Sequence, residues 1–125
     1  MELSQLTERV LAFRDERHWQ QFHKANHLAA GISIEAAELQ EHFLWKTPEQ
    51  VAALKGDDAK RAAIGDELAD VMVYALLLAH ELGLDPAEII LSKLAKNAVK
   101  YPADQVRGSA KKYDEYRARN TTPEH

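Results

Sequence analysis

The amino-acid sequence predicts an all-α fold, a four-helix bundle. Only five of the 125 residues are Gly and four are Pro, whereas Ala and Leu, which favour helices, are abundant. Apolar residues recur at helical spacing in long segments. No segment shows the alternation of apolar and polar residues that a half-buried strand requires. One domain is expected at this length. We place it at residues 1–116 and expect a flexible tail at residues 117–125.

The first two helices are predicted on either side of a polar stretch. Helix one covers about residues 3–19, where apolar side chains recur every three or four positions. The polar stretch at residues 18–27 is expected to hold a turn. Helix two then covers about residues 28–45 and ends before Thr47-Pro48, because the residue preceding a proline disfavours the helical conformation.

The last two helices are bounded by Gly and Pro. A short turn of helix is expected at residues 49–54. Helix three covers about residues 59–82 and ends at Gly83, since glycine commonly terminates helices. Asp85-Pro86 provides a cap followed by Pro at the first helical position. Helix four therefore covers about residues 86–100 and ends before the next proline.

The middle of helix three is apolar on nearly every side. A single small bundle cannot cover such a helix completely, and helices of this kind lie at the centre of larger assemblies. We therefore predict a homo-oligomer, either a dimer or a dimer of dimers.

Composition narrows the classes of partner. A net charge of −4 argues against a nucleic-acid backbone as the main partner, because that would require a basic face. The absence of cysteine excludes disulfide scaffolds and thiolate metal sites. The longest apolar run, residues 71–79, is too short to span a bilayer, and no secretory signal is visible at the start. We expect a cytoplasmic protein with no nucleic-acid or membrane partner.

Two acidic pairs are the most informative residues. Glu35 and Glu38 lie three residues apart in helix two, as do Glu67 and Asp70 in helix three. Residues at this spacing share a helix face, and here that face borders the apolar stripe. Four carboxylates held together near a core require cations between them, and oxygen ligands favour Mg²⁺ or Mn²⁺. The alternative is an acidic surface stripe paired with Lys and Arg.

Other kinds of metal site are less consistent with the sequence. A di-iron site in a bundle would use Glu-x-x-His motifs. The chain contains no Glu followed three residues later by His. Oxygen ligation therefore points to the hard divalent cations, which commonly serve substrate phosphates.

Further residues are candidate partners for a phosphate and a base. Lys93, Asn97 and Lys100 share a face of helix four. A solvated basic face near a helix C-terminus would give the same pattern. Trp19 and Trp45 lie at predicted helix ends, where an aromatic ring either stacks on a nucleobase or packs against its protein neighbours.

Together these residues resemble the MazG-like, all-α nucleoside triphosphate pyrophosphohydrolases. The family signature is Glu-x-x-Glu, a spacer and Glu-x-x-Asp, and here it is formed by Glu35, Glu38, Glu67 and Asp70. The surrounding sequence is similar to the dCTP pyrophosphatase branch, over about residues 5–116. The similar segments are residues 16–23, 38–47, 66–74, 92–97, 101–102 and 107–113.

The resemblance implies hydrolysis of (deoxy)nucleoside triphosphates to the monophosphate and pyrophosphate. It favours dCTP or a modified dCTP as substrate and nucleotide-pool housekeeping as the role. It also implies that the four acidic residues hold Mg²⁺, which Mn²⁺ could replace. Water would attack the α-phosphorus, and Glu38 is the favoured carboxylate to orient or deprotonate it.

The resemblance extends to the substrate-binding residues and the assembly. The residues implied near the phosphates are Lys93, Asn97, Lys100, Tyr101 and Arg107. Those implied around the base and sugar are Trp19, Trp45 and Tyr74, with Phe13 beneath. The implied assembly is a homotetramer built from two tight dimers.

The sequence departs from the branch in three places, one of which is that Ile34, Ala36 and Ala37 stand where small glycines usually accompany the first acidic pair. Val10 stands where the branch often has a His facing the base, and Ala25-Asn26-His27 stands where Pro-Arg-Asn is frequent. These departures leave the base preference open. One alternative is a non-catalytic nucleotide-binding or assembly module of the same fold. Another is a pyrophosphohydrolase that acts on a different nucleotide phosphoanhydride.

Overall fold

The computed structural model describes residues 1–108, which contain helices and no strand. The all-α prediction is confirmed. Six helices occur in this range: α1 Leu3–Glu16, α2 Ala25–Glu41, α3 Pro48–Ala53, α4 Asp58–Glu81, α5 Pro86–Lys100 and α6 Ala103–Val106. The four long helices correspond to the four predicted ones, α3 corresponds to the short turn of helix expected at residues 49–54, and α6 was not predicted. The predicted tail at residues 117–125 lies outside the described residues.

The described chain divides into two compact units. The first comprises residues 1–85 and contains α1 to α4, and the second begins at Pro86 and contains α5 and α6. Within the first unit α4 is the central element, because it packs along α2 and also contacts α1. The most deeply buried apolar side chains in residues 1–108 are Leu28, Leu54, Leu77 and Ala79.

The helix α1 ends at Glu16, earlier than the predicted end at Trp19. The cause is His18, which adopts the left-handed conformation with φ of 54°. In this turn the amide of His18 donates to the carbonyl of Asp15 at 3.0 Å, and the amide of Trp19 donates to the carbonyl of Arg14 at 3.2 Å. These bonds satisfy the last carbonyls of the helix as a glycine turn would.

The helix α2 is displaced towards the N-terminus relative to its predicted bounds. It begins at Ala25, where the amide of Leu28 already donates to the carbonyl of Lys24 at 2.9 Å. It ends at Glu41, and a turn follows in which Trp45 has a φ of 61°. The polar turn predicted at residues 18–27 is therefore shorter than expected.

The helix α4 has well-defined ends, as its sequence predicted. The side chain of Asp57 caps the first turn by accepting from the Lys60 amide at 3.0 Å. Such caps contribute about 1 kcal/mol to stability. At the other end Gly83 adopts a φ of 67°, and the amide of Leu84 donates to the carbonyl of Ala79 at 2.8 Å.

Many large apolar side chains are exposed in the described part of the chain. Examples are Ile34 on α2, 59% exposed, and Met72 on α4, 53% exposed. No helix within residues 1–108 is both long and apolar enough to cross a membrane. The predicted homo-oligomer stays a prediction.

Candidate functional site

Three acidic side chains meet where α2 packs against α4. Glu35, Glu38 and Glu67, called the acidic cluster below, each place a carboxylate oxygen within 4.8 Å of the others. The spacing of Glu35 and Glu38 puts both on the same face of α2, and the packing of the two helices brings Glu67 against them. The structure therefore brings together three of the four acidic residues of the sequence signature.

Two members of the acidic cluster are partly buried without compensation. Glu35 and Glu67 are half-buried, and the Oε2 atom of each is inaccessible to solvent and has no hydrogen-bond partner. Within residues 1–108, no Lys or Arg forms an ion pair with any member of the acidic cluster. This arrangement differs from an acidic surface stripe neutralised by basic side chains.

The protonation of the acidic cluster reflects this crowding. Burial raises the pKa of Glu35 to about 7, and the carboxyl groups of Glu38 and Glu67 and the charge of Asp70 add to the increase. Burial also raises the pKa of Glu67, with Glu38 and Asp70 acting in the same direction and Glu35 opposing them. The site is thus poorly suited to full ionisation unless positive charge enters it.

Asp70 occupies a position between two parts of the site. Its carboxylate is not a member of the 4.8 Å group. Its charge is nevertheless close enough to raise the pKa values of Glu35 and Glu67. The same residue lines a neighbouring pocket. Asp70 therefore connects the acidic cluster with that pocket.

The residues of the acidic cluster fit a hard divalent cation. The orphaned Oε2 atoms of Glu35 and Glu67 lack any partner in the described structure, and oxygen donors from carboxylates are those that such ions prefer. A cation would also remove the like-charge repulsion that raises the pKa values. Glu38 is exposed and accessible from an open recess of about 320 Å³, which Glu41 and His42 also line.

A pocket of about 200 Å³ adjoins the acidic cluster at Asp70. It lies between α1, the turn that follows it and α4, and it combines aromatic, apolar and polar side chains. The lining residues are Val10, Phe13, Arg14, Trp19, His23, Asp70, Val73, Tyr74 and Leu77. Of the predicted base and sugar residues, Trp19, Tyr74 and Phe13 lie here. We call this the aromatic pocket.

The end of α1 shapes the aromatic pocket. The turn at His18 directs Trp19 back towards Phe13, and the two rings meet edge to face with centroids 5.9 Å apart and planes at 73°. The guanidinium of Arg17 lies 3.6 Å from the centroid of the Phe13 ring and donates to the Phe13 carbonyl at 2.9 Å. These contacts hold Phe13 and Trp19 in a fixed relative orientation.

Sequence reasoning missed the polar side of the aromatic pocket. Arg14 and His23 both line it, and the Nδ1 atom of His23 is buried without a hydrogen-bond partner. Burial lowers the pKa of His23, and the charge of Arg14 lowers it further. A lowered pKa favours the neutral form of the imidazole. Both residues flank the predicted end of helix one, and His23 also ends a segment that resembles the dCTP pyrophosphatase branch.

The remaining predicted site residues are Trp45 of the first unit and five residues of the second unit. Trp45 is 97% exposed and does not line the aromatic pocket. The second unit contains the residues predicted near phosphates: Lys93, Asn97 and Lys100 on α5, Tyr101 directly after it, and Arg107 at the end of α6. Lys93, Asn97 and Lys100 lie along one face of α5, as their spacing predicted. Their roles stay predictions.

Known proteins are similar to this chain in sequence and in fold. The model of the MazG-like family matches residues 30–116. Human dCTP pyrophosphatase 1 is 38% identical over 103 residues, which cover 82% of this chain and 61% of the human protein. Bovine dCTP pyrophosphatase 1 is 37% identical over 101 residues, covering 81% and 60%. A crystal structure of a pyrophosphatase from Archaeoglobus fulgidus has a TM-score of 0.71 at 35% identity, covering 80% of this chain and 92% of that one.

The fold and the site define an all-α protein with a carboxylate cluster between two packed helices. The chain belongs to the MazG-like family, as its acidic signature predicted. It spans about three fifths of the length of the curated relatives it matches.

Proposed function

We propose that this chain is a Mg²⁺-dependent nucleoside triphosphate pyrophosphohydrolase that favours dCTP. The observation that carries the proposal is the junction at Asp70, where the acidic cluster adjoins the aromatic pocket. A nucleoside triphosphate has the two matching parts, a polyphosphate that binds divalent cations and a base that stacks on aromatic rings. The names of the relatives, dCTP pyrophosphatase 1 and a pyrophosphatase, support the same activity.

The acidic cluster and Asp70 would hold the cation, Mg²⁺ or in its place Mn²⁺. When bound, such an ion neutralises phosphate charge and lowers the pKa of a water molecule. Glu35 and Glu67 supply the buried oxygens that lack partners. Asp70 supplies negative charge on the side nearest the aromatic pocket.

Glu38 is the proposed base for the attacking water. It is the exposed member of the acidic cluster and lines the open recess, so a water molecule can reach it. Its carboxylate would orient the water and accept a proton as the oxygen attacks the α-phosphorus. The bond from that phosphorus to the bridging oxygen then breaks, which yields the nucleoside monophosphate and pyrophosphate. Positioning accounts for most of the remaining rate enhancement.

The aromatic pocket would hold the nucleoside. Trp19 offers a ring for base stacking, supported by its contact with Phe13. Tyr74 lies one helical turn from Asp70 and is placed for the sugar. The residues proposed to complete the site are Trp45 at the base and Lys93, Asn97, Lys100, Tyr101 and Arg107 at the phosphates. A preference for dCTP or a modified dCTP fits housekeeping of the cytoplasmic nucleotide pool.

The proposal includes assembly of the chain into a homo-oligomer, either a dimer or a homotetramer of two dimers. The support is the exposed apolar surface on α2 and α4, including Ile34, Leu68 and Met72. A monomer rarely leaves so many large apolar side chains exposed.

The proposed activity is tested by pyrophosphate release from a panel of dNTPs and NTPs with and without Mg²⁺. The wild-type chain is expected to require the cation and to act best on dCTP. Glu38→Ala and Asp70→Ala are expected to lose about a hundredfold or more in kcat. Glu81→Ala, at an exposed acidic residue near the end of α4, is the matched control and should retain wild-type activity.

Each alternative predicts a different result in the same assay. Folded Glu38→Ala and Asp70→Ala chains with full activity would contradict the site assignment. Tight nucleotide binding without any turnover would support a non-catalytic module. Turnover of only another nucleotide phosphoanhydride would show that the proposed substrate is wrong and the proposed type of reaction is right.

A further inference from the structure

The ring of Tyr74 packs directly on the backbone of α2 at Gly31. A Cβ atom built on Gly31 would lie 2.8 Å from Cε1, 2.9 Å from Cδ1 and 3.0 Å from Cζ of Tyr74. These separations are shorter than carbon atoms tolerate, so any side chain at residue 31 would displace the ring. Counting neighbours within residues 1–108, Gly31 is the only one of the five glycines with an atom this close.

The Tyr74 ring separates Gly31 from the aromatic pocket. Tyr74 lines the pocket and Gly31 does not. A ring that can no longer lie against α2 must therefore move towards a pocket of only about 200 Å³. The contact between Gly31 and Tyr74 thus sets how much of that space stays open.

The position of Tyr74 corresponds to the sugar of a bound nucleotide. Tyr74 lies one turn from Asp70 on α4, and Asp70 borders the acidic cluster. Trp19 and Phe13 also line the pocket. Because the sugar of a nucleotide joins the phosphates to the base, it would pass Tyr74 if the phosphates lie at the acidic cluster. This step rests on the proposed function.

We propose that Gly31 determines the room available to the nucleotide sugar. Its missing side chain allows the Tyr74 ring to recede against α2, and the pocket stays wide enough for a deoxyribose. Gly31 is a positioning residue, because it acts through Tyr74 and does not line the pocket itself.

The expected effect of Gly31→Ala is on substrate binding. The displaced ring narrows the pocket, so KM for dCTP rises about tenfold, whereas kcat changes less than about twofold because the acidic cluster is untouched. CTP carries an additional hydroxyl group on the sugar, so Gly31→Ala should lower kcat/KM more for CTP than for dCTP. The ratio of kcat/KM for dCTP to that for CTP is therefore expected to rise about threefold or more.

Steady-state kinetics with both substrates measure these quantities, and Gly65→Ala provides the matched control. Gly65 is also a glycine inside a helix, but a Cβ there meets nothing within 4 Å. The same Gly-to-Ala change at that position should leave KM, kcat and the ratio at wild-type values. Calorimetric titration with dCTP in the presence of Ca²⁺ provides a binding measurement that does not depend on turnover.

A double-mutant cycle with Tyr74→Ala isolates the contact. In a chain that carries Tyr74→Ala, adding Gly31→Ala should change KM by less than about twofold, because no ring remains to be displaced. An equal rise in KM in both backgrounds would overturn the inference. So would a wild-type KM for Gly31→Ala, or a fall in kcat at unchanged KM.

The remaining outcomes also distinguish the proposals. If Gly31→Ala does not fold, the double variant decides. A double variant that folds and has the KM of Tyr74→Ala supports the inference. A double variant that also fails to fold overturns it. Wild-type turnover with no effect of Gly31→Ala rejects this inference alone. A wild-type chain that neither binds nor hydrolyses any nucleoside triphosphate rejects the proposed function, and the inference with it.

Discussion

Replacing Glu67 with glutamine is expected to lower kcat/KM for dCTP by about a thousandfold while the chain stays folded. Glutamine keeps the shape of the side chain and removes its charge. The loss follows because Glu67 places a buried, unpartnered oxygen in the acidic cluster, where it would hold the divalent cation. Several kcal/mol of charge stabilisation in the transition state correspond to a rate factor of this order.

Asp66→Asn is the matched control for Glu67→Gln. Asp66 is the preceding residue on α4, is exposed and lies outside the acidic cluster, and its replacement removes the same charge. Activity close to wild type is expected for Asp66→Asn. Circular dichroism and thermal unfolding establish that both variants are folded. A folded Glu67→Gln chain within about tenfold of wild-type kcat/KM would show that Glu67 does not hold an essential ion.

The second large effect is on stability in the absence of divalent cations. The thermal midpoint of the wild-type chain in a chelator is expected to fall as pH rises from about 4.5, the ordinary value for glutamate, through about 7. The reason is that the pKa of Glu35 is raised to about 7 in the folded chain, and that of Glu67 is raised too. Over this range the folded chain binds more protons than the unfolded chain, so each increase in pH favours unfolding.

The comparison with Glu35→Gln isolates this contribution. The pKa of His23 is lowered in the folded chain, so His23 has the opposite effect on the pH dependence of stability. Its contribution to stability is lost as the pH falls below the ordinary pKa of histidine. Both chains contain His23, so its contribution cancels when the thermal midpoint of Glu35→Gln is compared with that of the wild type at each pH. We expect the variant to be the more stable chain at pH 8 without cations, and the difference to shrink towards pH 4.5. Mg²⁺ should raise the midpoint of the wild type at pH 8 and have much less effect on the variant.

A wild-type midpoint that rises steadily between pH 4.5 and 8, in parallel with Glu35→Gln, would contradict this account of the acidic cluster. Thermal unfolding of both chains in buffers of different pH and the same ionic strength tests this, because the screening of charges then stays constant across the pH range.

The acidic cluster was largely predictable from the sequence. The i, i+3 spacing places two carboxylates on one helix face, and the apolar residues beside them predict that this face packs inward. These two rules left two interpretations, a shared site in which Glu35 and Glu38 lie close to Glu67 or an acidic surface stripe, and the structure has the first. Spacing could not show that Asp70 lies outside the 4.8 Å group, because the offset depends on how α2 and α4 pack against each other.

The end of α1 was not predictable from local signals. No Gly or Pro stands at residues 16–19, and the helix stops because His18 adopts a left-handed conformation. Residues other than Gly reach this conformation only when the surrounding contacts favour it. The edge-to-face contact of Trp19 with Phe13 is one such contact. The sequence therefore predicted that aromatic residues form a pocket, but it did not predict which residues bound that pocket.

Gly31 illustrates a second limit. A glycine inside a helix usually weakens it. Nothing in the sequence separates Gly31, where an added Cβ would meet the Tyr74 ring, from Gly65, where it would meet nothing within 4 Å. The distinction appears only when α4 is packed against α2. The positions of Arg14 and His23 in the aromatic pocket were not predictable for the same reason, because tertiary packing and not periodicity decides which polar residues line a cavity.

The central claim is that the acidic cluster directs water to the α-phosphorus of a nucleoside triphosphate. Hydrolysis of dCTP in ¹⁸O-labelled water with Mg²⁺, followed by mass spectrometry of the products, tests it most directly. We predict one labelled oxygen in dCMP and unlabelled pyrophosphate, with neither product formed by Glu67→Gln on the same timescale. Label in pyrophosphate, release of dCDP and phosphate, or undiminished turnover by folded Glu67→Gln would contradict the claim.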